Sequence, residues 1–436
     1  MDTLLTAGAT LAFLLLFLGL GVWVFVSLAL VATAALFFLH GMDLSRIGSI
    51  AANIIYRYGS SWELSAIPMF IWMGEIIFRT DISARLFRGL SPFVDYIPGR
   101  LLHTNVLGCT LFAAVSGSSP ATTATVGRIT IRELSDRGYD ERLSLGSLAG
   151  AGSLGLLIPP SIVMIVYGIL AEQSISRLFA AGVLPGLMIA ALYSGYIMIC
   201  AKLNPAIVPV ERPKRRAVDF LIALRDLAPL VGLMTVVLGS IYSGIATPSE
   251  AAAVGVIAAI AITAVLRQFS LRLLRDTLMG ALRTSTMVCS ILITAAFMST
   301  AIGYLHIPAD VAEGIASLHL PPWGLLVVLS LFYLGLGFFL DGNSIVVMSL
   351  PISLPLALQA GFDPIWFGIY LVLMVEMAQV TPPVGFNLFV LQGISGRSIG
   401  YVARAALPFF LLMLLGVALL AVFPGIALWL PNYFYG

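Results

Sequence analysis

Four short stretches of this 436-residue chain combine polar side chains with backbone that cannot stay helical. They are Ser116-Gly117-Ser118-Ser119-Pro120, Ile158-Pro159-Pro160-Ser161, Leu340-Asp341-Gly342-Asn343-Ser344 and Thr381-Pro382-Pro383-Val384-Gly385. Proline has no N–H, and its ring clashes with the carbonyl four residues back. Pro159 and Pro160 should therefore free the carbonyls of Gly155 and Leu156, and Pro382 and Pro383 those of Ala378 and Gln379. Freed carbonyls at half-helix C-termini, with Ser or Thr hydroxyls, suit a hard monovalent cation such as Na⁺. Half-helix N-termini offer N–H groups and a positive dipole end to an anion. Plainer readings stand beside these. The serines could cap helices or let helices approach closely, and a Pro-Pro pair could be a kink. Asp341 could be an ion ligand or the cap of the helix that follows it. Glu376 lies in an apolar run, where an acid is costly and often functional, or where it bonds a neighbouring helix. Glu75 sits four residues before Arg79 and reads as a helix-surface pair. Glu250 follows Thr247 and Ser249 at a helix start and reads as part of a cap.

The elements that carry these stretches are apolar. The chain is 60% hydrophobic and 10% charged, with a mean hydropathy of +1.03, whereas a soluble domain carries about 25% charge. Apolar runs of about 20 residues recur from end to end, which predicts an all-α polytopic membrane protein. A barrel would show short alternating segments instead. A net charge of +2 leaves no nucleic-acid footprint, and the absence of a G-x-x-x-x-G-K-[ST] motif argues against ATP as the energy source. Cys109, Cys200 and Cys289 lie scattered in apolar sequence and read as buried thiols. His40, His103, His306 and His319 form no ligand spacing. The first 39 residues hold no Lys or Arg, so a cleaved leader with a basic start is not expected.

Spans are expected at 4–20, 22–39, 62–78, 178–201, 228–244, 247–266, 285–304 and 407–429, with an amphipathic interfacial helix over 43–60. Between them come two re-entrant hairpins, about 102–134 and 325–358, and two broken helices, about 143–171 and 364–392. The halves match at an offset of 225, which places Gly89, Gly99 and Gly117 on Gly314, Gly324 and Gly342. After a two-residue slip, Gly138, Asp140, Pro159, Pro160 and Pro185 fall on Gly361, Asp363, Pro382, Pro383 and Pro408. The expected organisation is a first repeat over 1–203, a cytoplasmic linker over 204–227 and a second repeat over 228–436. Repeats with matching broken helices are a signature of secondary transporters.

If both hairpins enter and leave on one side, each half crosses five times, so the second repeat is inverted. With both termini outside, twenty of the 23 Lys and Arg residues fall on cytoplasmic segments, and Arg46, Arg57 and Arg177 do not. The positive-inside rule thus favours re-entrant hairpins over full crossings.

The stretches "GCTLFAAVSGSSPATTATVG", "SLGLLIPPSIVMIVYG", "GIATPSEAAAVGV", "FLDGNSIVVMSLPISLP" and "QVTPPVGFNLFVLQG" occur in order along the chain. Together they resemble the large, DctM-like membrane subunit of TRAP transporters, the tripartite ATP-independent periplasmic transporters. The resemblance implies a sodium-driven importer of organic acid anions in a bacterial inner membrane. It implies an ion-transporter-superfamily fold with an elevator-type moving part, formed by about 102–171 and 325–392, the remaining spans being mainly scaffold. It implies two partners: a small four-helix, DctQ-like membrane subunit, expected here as a separate polypeptide, and a periplasmic, DctP-like substrate-binding protein. Carried over by motif, one Na⁺ site would use Ser116, Ser119, Gly155 and Ile158. The other would use Gly337, Leu340, Ala378 and Thr381, mostly through carbonyls. Substrate would lie near Ser118, Asn343 and Pro383. Two departures, Gly342-Asn343 after the aspartate and Gln379 before Thr-Pro-Pro, bear on substrate class.

Two other readings compete. An intramembrane hydrolase using Ser116 needs a base within hydrogen-bond reach. His103 and His306 fall at the ends of spans, and no second aspartate matches Asp341 in depth, so no enzyme is expected. A stand-alone sodium- or proton-coupled anion carrier of the same superfamily shares the broken-helix logic, and the family resemblance is what favours the tripartite system.

Overall fold

The computed structural model describes residues 10, 12, 13, 16, 17, 20–209, 216–306, 321–338, 340–382 and 385–436. No strand occurs among them. Six of the helices are long and apolar enough to cross a bilayer.

The first half runs through α1 (Val24–Ala34), α2 (Leu44–Gly59), α3 (Ala66–Phe78) and α4 (Ile82–Val94). The interfacial helix expected over 43–60 is α2, started by the Asp43 side chain accepting from the N–H of Arg46. The expected hairpin is α5 (His103–Ser116) and α6 (Ser119–Asp136). The expected broken helix is α7 (Glu141–Gly152), a 3₁₀ turn over Ser153–Leu156, and α8 (Ile162–Leu170). One long span, α9 (Ile175–Leu203), closes this half.

The second half repeats the order: α10 (Ala217–Tyr242), α11 (Pro248–Val265), α12 (Leu271–Tyr304), then α13 (Pro322–Leu336) and α14 (Gly342–Gln359). The second broken helix is α15 (Pro364–Gln379) and α16 (Phe386–Ser395), followed by α17 (Ile399–Val422) and α18 (Gly425–Tyr435).

Three boundaries differ from the sequence reading. The last part of the expected linker is helix: α10 begins at Ala217, where the Asp219 carboxylate accepts the N–H of Arg216 at 2.8 Å. That extension packs on α4, where Leu227 lies against Gly89 and Asp226 pairs with Arg85 and Arg88. Similarly, α12 starts at Leu271, capped by Ser270. The last span stops at Val422 and a separate helix, α18, follows. Charge and polarity hid the first two helix starts, since a hydropathy reading registers a span only where polar residues end. The expected span 4–20 falls mostly outside the described residues.

Packing sorts the helices into two groups. In one, α12 packs on α1, α2 and α3, α11 on α3, and α10 on α4 and α11. In the other, the two hairpins and broken helices pack on one another, and α9, α17 and α18 pack with them. The spans α9 and α17, expected among the remaining spans, thus pack with the hairpins and broken helices. They carry Tyr193 and Phe409, whose rings meet edge-on at 5.3 Å, and Gly146 and Gly150 of α7 leave room for Phe409.

Residues Ile365–Gln379 of α15 are all buried. In a bilayer, lipid tails are as apolar as Leu, so close packing and polar contacts decide which helix lies at the centre. Those contacts are present: Trp366 Nε1 donates to Leu420 O at 3.1 Å, and Tyr370 Oη to Leu326 O at 2.9 Å.

Candidate functional site

The first hairpin tip is built by local rules. At the end of α5, Gly117 takes the left-handed conformation (φ 57°), and its N–H bonds Ala113 O at 3.0 Å. A side chain there would be strained, and its Cβ would also lie 3.1 Å from Pro160 O. Ser118 is extended and starts α6, with Pro120 in the first turn where a missing N–H costs nothing. The Thr122 hydroxyl donates to Ser118 O (2.8 Å) and shares a hydrogen bond with Ser116 Oγ (2.6 Å).

This tip rests on the first helix break. Gly155 approaches so closely that a Cβ would meet Ser119 Cα at 2.6 Å and Ser118 C and O at 2.7 Å. Ser119 is buried, donating to Gly152 O at 3.1 Å and accepting from Asn387 Nδ2 at 2.7 Å. Both Leu157 and Ile158 bond back to Leu154 O. Among the described residues, no N–H donates to the carbonyls of Gly155 or Leu156, as the prolines require. After the break, Ser161 caps α8 by accepting from Met164 N.

The second tip follows the same plan with different chemistry. Asp341 is a cap: its carboxylate accepts from Asn343 N at 3.1 Å and from the Ser344 hydroxyl. Gly337 lies against Ala378, whose Cα would be 3.0 Å from a Cβ. Gly342 lies against Val375 and Gln379. Leu340 is buried, with its N–H bonded to Leu336 O at 3.0 Å.

The Ala378 carbonyl, expected to be free, accepts from Thr381 N at 3.3 Å. Val380 likewise donates to Met377 O, so the last turn of α15 tightens to i→i+3 bonds, which recovers the Ala378 carbonyl that Pro382 abandons. The Thr381 hydroxyl donates to Met377 O at 2.6 Å. Pro383, expected beside the substrate, lies outside the described residues.

The two hairpin tips, together with residues flanking the two breaks, line one cavity of about 520 Å³. Ser116, Ser118, Asp341, Asn343, Gln379 and Leu156 line it, facing Gly74 and Glu75 of α3 and Thr284 and Met287 of α12. The first residues of α6, α8, α14 and α16 also reach it, so four helix N-termini converge there. No Lys or Arg is among the described lining residues. Asn343 Oδ1 and Gln379 Oε1 are buried without a hydrogen-bond partner.

Of the carried-over residues, Ser119 and Gly155 are brought together, with Ile158 in the same break. Ser116 is tied instead to Thr122 and faces the cavity. Gly337 and Ala378 are brought together, and Thr381 follows on the same turn. Ser118 and Asn343 share the cavity wall. These donors are hydroxyl and carbonyl oxygens, which fit a hard cation. Glu75 pairs with Arg79 at 2.9 Å, as its spacing implied, yet also lines the cavity. Glu250 forms a capping box with Thr247. Sequence reasoning passed over Asn387, whose signal was an amide in the first turn of an apolar half-helix.

Comparison with known proteins adds four findings. The family model for the tripartite ATP-independent periplasmic transporter, DctM component, matches residues 11–426. The C4-dicarboxylate TRAP transporter large permease protein DctM of Pseudomonas aeruginosa is 36% identical over 382 residues, covering 87% of this chain and 88% of that protein. The isethionate TRAP transporter permease protein DctMQ of Oleidesulfovibrio alaskensis is 32% identical over 422 residues, covering 97% of this chain and 65% of that protein. Among solved structures, the Alcanivorax borkumensis YdaH transporter, described as having an unusual topology, superposes with a TM-score of 0.68 over 94% of this chain and 98% of that one, at 14% identity. That likeness concerns the fold alone.

Proposed function

Because the chain belongs to the DctM family of TRAP transporter large permease proteins, we propose that it is the translocation subunit of a sodium-coupled importer of organic acid anions in a bacterial inner membrane. The supporting observation is the shared cavity, lined by both hairpin tips and by residues flanking both helix breaks. Each helix N-terminus is equivalent to about half a positive charge. Four of them give an anion a favourable site without a lysine or arginine, and the unpartnered amide oxygens of Asn343 and Gln379 are acceptors for a hydroxyl group on the solute.

The cation's place in this reading is behind the tips. Ser116, Ser119, Gly155 and Ile158 would hold one Na⁺, and Gly337, Leu340, Ala378 and Thr381 another. A cation binding there draws each tip onto its break and completes the cavity wall, so that substrate affinity rises with sodium. Alternating access follows from the two packing groups, the hairpin group sliding as an elevator against the group of α1–α4 and α10–α12, with the cavity between them. The two inverted repeats, 1–203 and 228–436, are the proposed source of this pairing, with both chain ends on the periplasmic side. A four-helix membrane subunit and a periplasmic binding protein complete the system; the DctMQ relative carries a fused name for such a pair.

The test is uptake into proteoliposomes containing this chain with its small subunit, the binding protein being added outside. Uptake should require an inward Na⁺ gradient, and Ser116→Ala or Thr381→Ala should raise the sodium needed for half-maximal rate. Undiminished uptake with no sodium on either side would refute the coupling. Unchanged sodium dependence in both variants would remove these sites.

A further inference from the structure

Glu376 is not among the cation ligands named above. It is fully buried within α15, where an acid is expensive. Its Oε1 accepts the N–H of Leu156 at 2.6 Å, reaching across 220 residues of sequence to the break in the other half. Its Oε2 has no hydrogen-bond partner among the described residues.

The N–H of Leu156 belongs to the peptide that also contains the carbonyl of Gly155. A trans peptide is planar, with its N–H and C=O pointing in opposite directions. An acceptor that fixes the N–H therefore fixes the carbonyl, directing it away from Glu376. Among the described residues no N–H reaches the Gly155 carbonyl, so none of them holds this peptide from its other end. A short bond to a carboxyl group also polarises the peptide, leaving the carbonyl oxygen more negative.

We infer that Glu376 is a positioning residue for the coupling cation. It sets the direction and polarity of the Gly155 carbonyl from a helix whose own end carries Ala378 and Thr381. The two helix breaks are thereby tied together: a shift of α15 at one cation site moves the peptide that serves the other. The inference rests on the sodium-coupled reading above. A residue that merely stapled α15 to the first break would affect stability and leave sodium affinity alone.

The test uses Glu376→Leu, Glu376→Asp and Glu376→Gln in the full chain with its small subunit. The readouts are sodium half-saturation of uptake, substrate half-saturation at saturating sodium, and the thermal midpoint. Leu removes the acceptor and Asp retracts it by one methylene, and each should raise the sodium half-saturation by about 10-fold or more, as loss of an outer-shell partner does. Gln keeps an acceptor oxygen for Leu156 N–H and should stay near the unmodified protein. Should Leu fail to fold, Asp carries the same expectation with less loss of polarity. A Leu or Asp variant with unmodified sodium dependence, whatever its thermal midpoint, overturns the inference. Gln as impaired as Leu also overturns it, because the charge and not the peptide's orientation would then be acting. Sodium indifference in the unmodified chain overturns the coupling reading and this inference together, and differs from the variants' failure by appearing without substitution.

Discussion

Gly155→Ala gives a sharp test of the tip-on-break contact. The added Cβ would stand 2.6 Å from Ser119 Cα, where ordinary van der Waals contact begins at 3.4 Å. The shortfall is 3.4 − 2.6, or 0.8 Å. The obstructing atoms are backbone of Ser118 and Ser119, so no side-chain rotation relieves the clash, and the hairpin tip and the break must part. Overpacking of this kind costs about 1–3 kcal/mol. Metal–ligand distances tolerate only about 0.2 Å, so a displacement of most of an ångström should cost cation binding more than it costs folding. An apparent sodium affinity lower by about 5–150-fold corresponds to that energy range. The assay is sodium half-saturation of uptake, alongside sodium-dependent thermal stabilisation of the purified complex. Gly195→Ala is the control: it lies in α9 with nothing within 4 Å of its Cβ. There the change should leave uptake alone, since alanine favours a helix over glycine. If Gly155→Ala keeps the unmodified sodium dependence, the first tip and break do not form a cation site.

Three further outcomes are expected. Gly337→Ala, obstructed by Ala378, should likewise raise the sodium requirement, read in the same uptake assay; an unchanged value would detach the second tip from coupling. Asn387→Leu removes the bond to buried Ser119 and should lower stability by about 1–3 kcal/mol in a denaturant or thermal titration, and a neutral result would show that Ser119 finds another donor. Asp341→Asn keeps a capping oxygen and should transport with nearly unmodified sodium dependence, whereas Asp341→Ala should lose about 1 kcal/mol of helix stability; a large sodium defect in the Asn variant would make Asp341 a ligand as well as a cap.

Much of the fold was legible because its signals are local. A Pro-Pro pair cannot bond its i−4 carbonyls wherever it lies, so the breaks near 158–161 and 381–385 could be placed from the residues alone. Gly117 needs its left-handed turn whatever surrounds it, which fixed the first tip. Helix starts at Ala217 and Leu271 were less legible, because their first turns are polar and pack on other helices. The fate of the Ala378 carbonyl was not legible either, since its rescue by Thr381 depends on how the last turn tightens.

What the amino-acid sequence determined by itself is the solvent, the order of the helices and the positions of the interruptions. Composition, apolar run length and the backbone chemistry of Pro and Gly are properties of a residue and its near neighbours. Only the tertiary structure decided which interruptions meet, that α9 and α17 pack with the hairpins, and that Glu376 and Asn387 reach Leu156 and Ser119 in the opposite half. Each of these is a contact between atoms far apart in the chain, made where there is no water to satisfy a lone N–H or hydroxyl. In that medium a single buried acid or amide chooses its partner by proximity, and proximity is what the folded chain supplies.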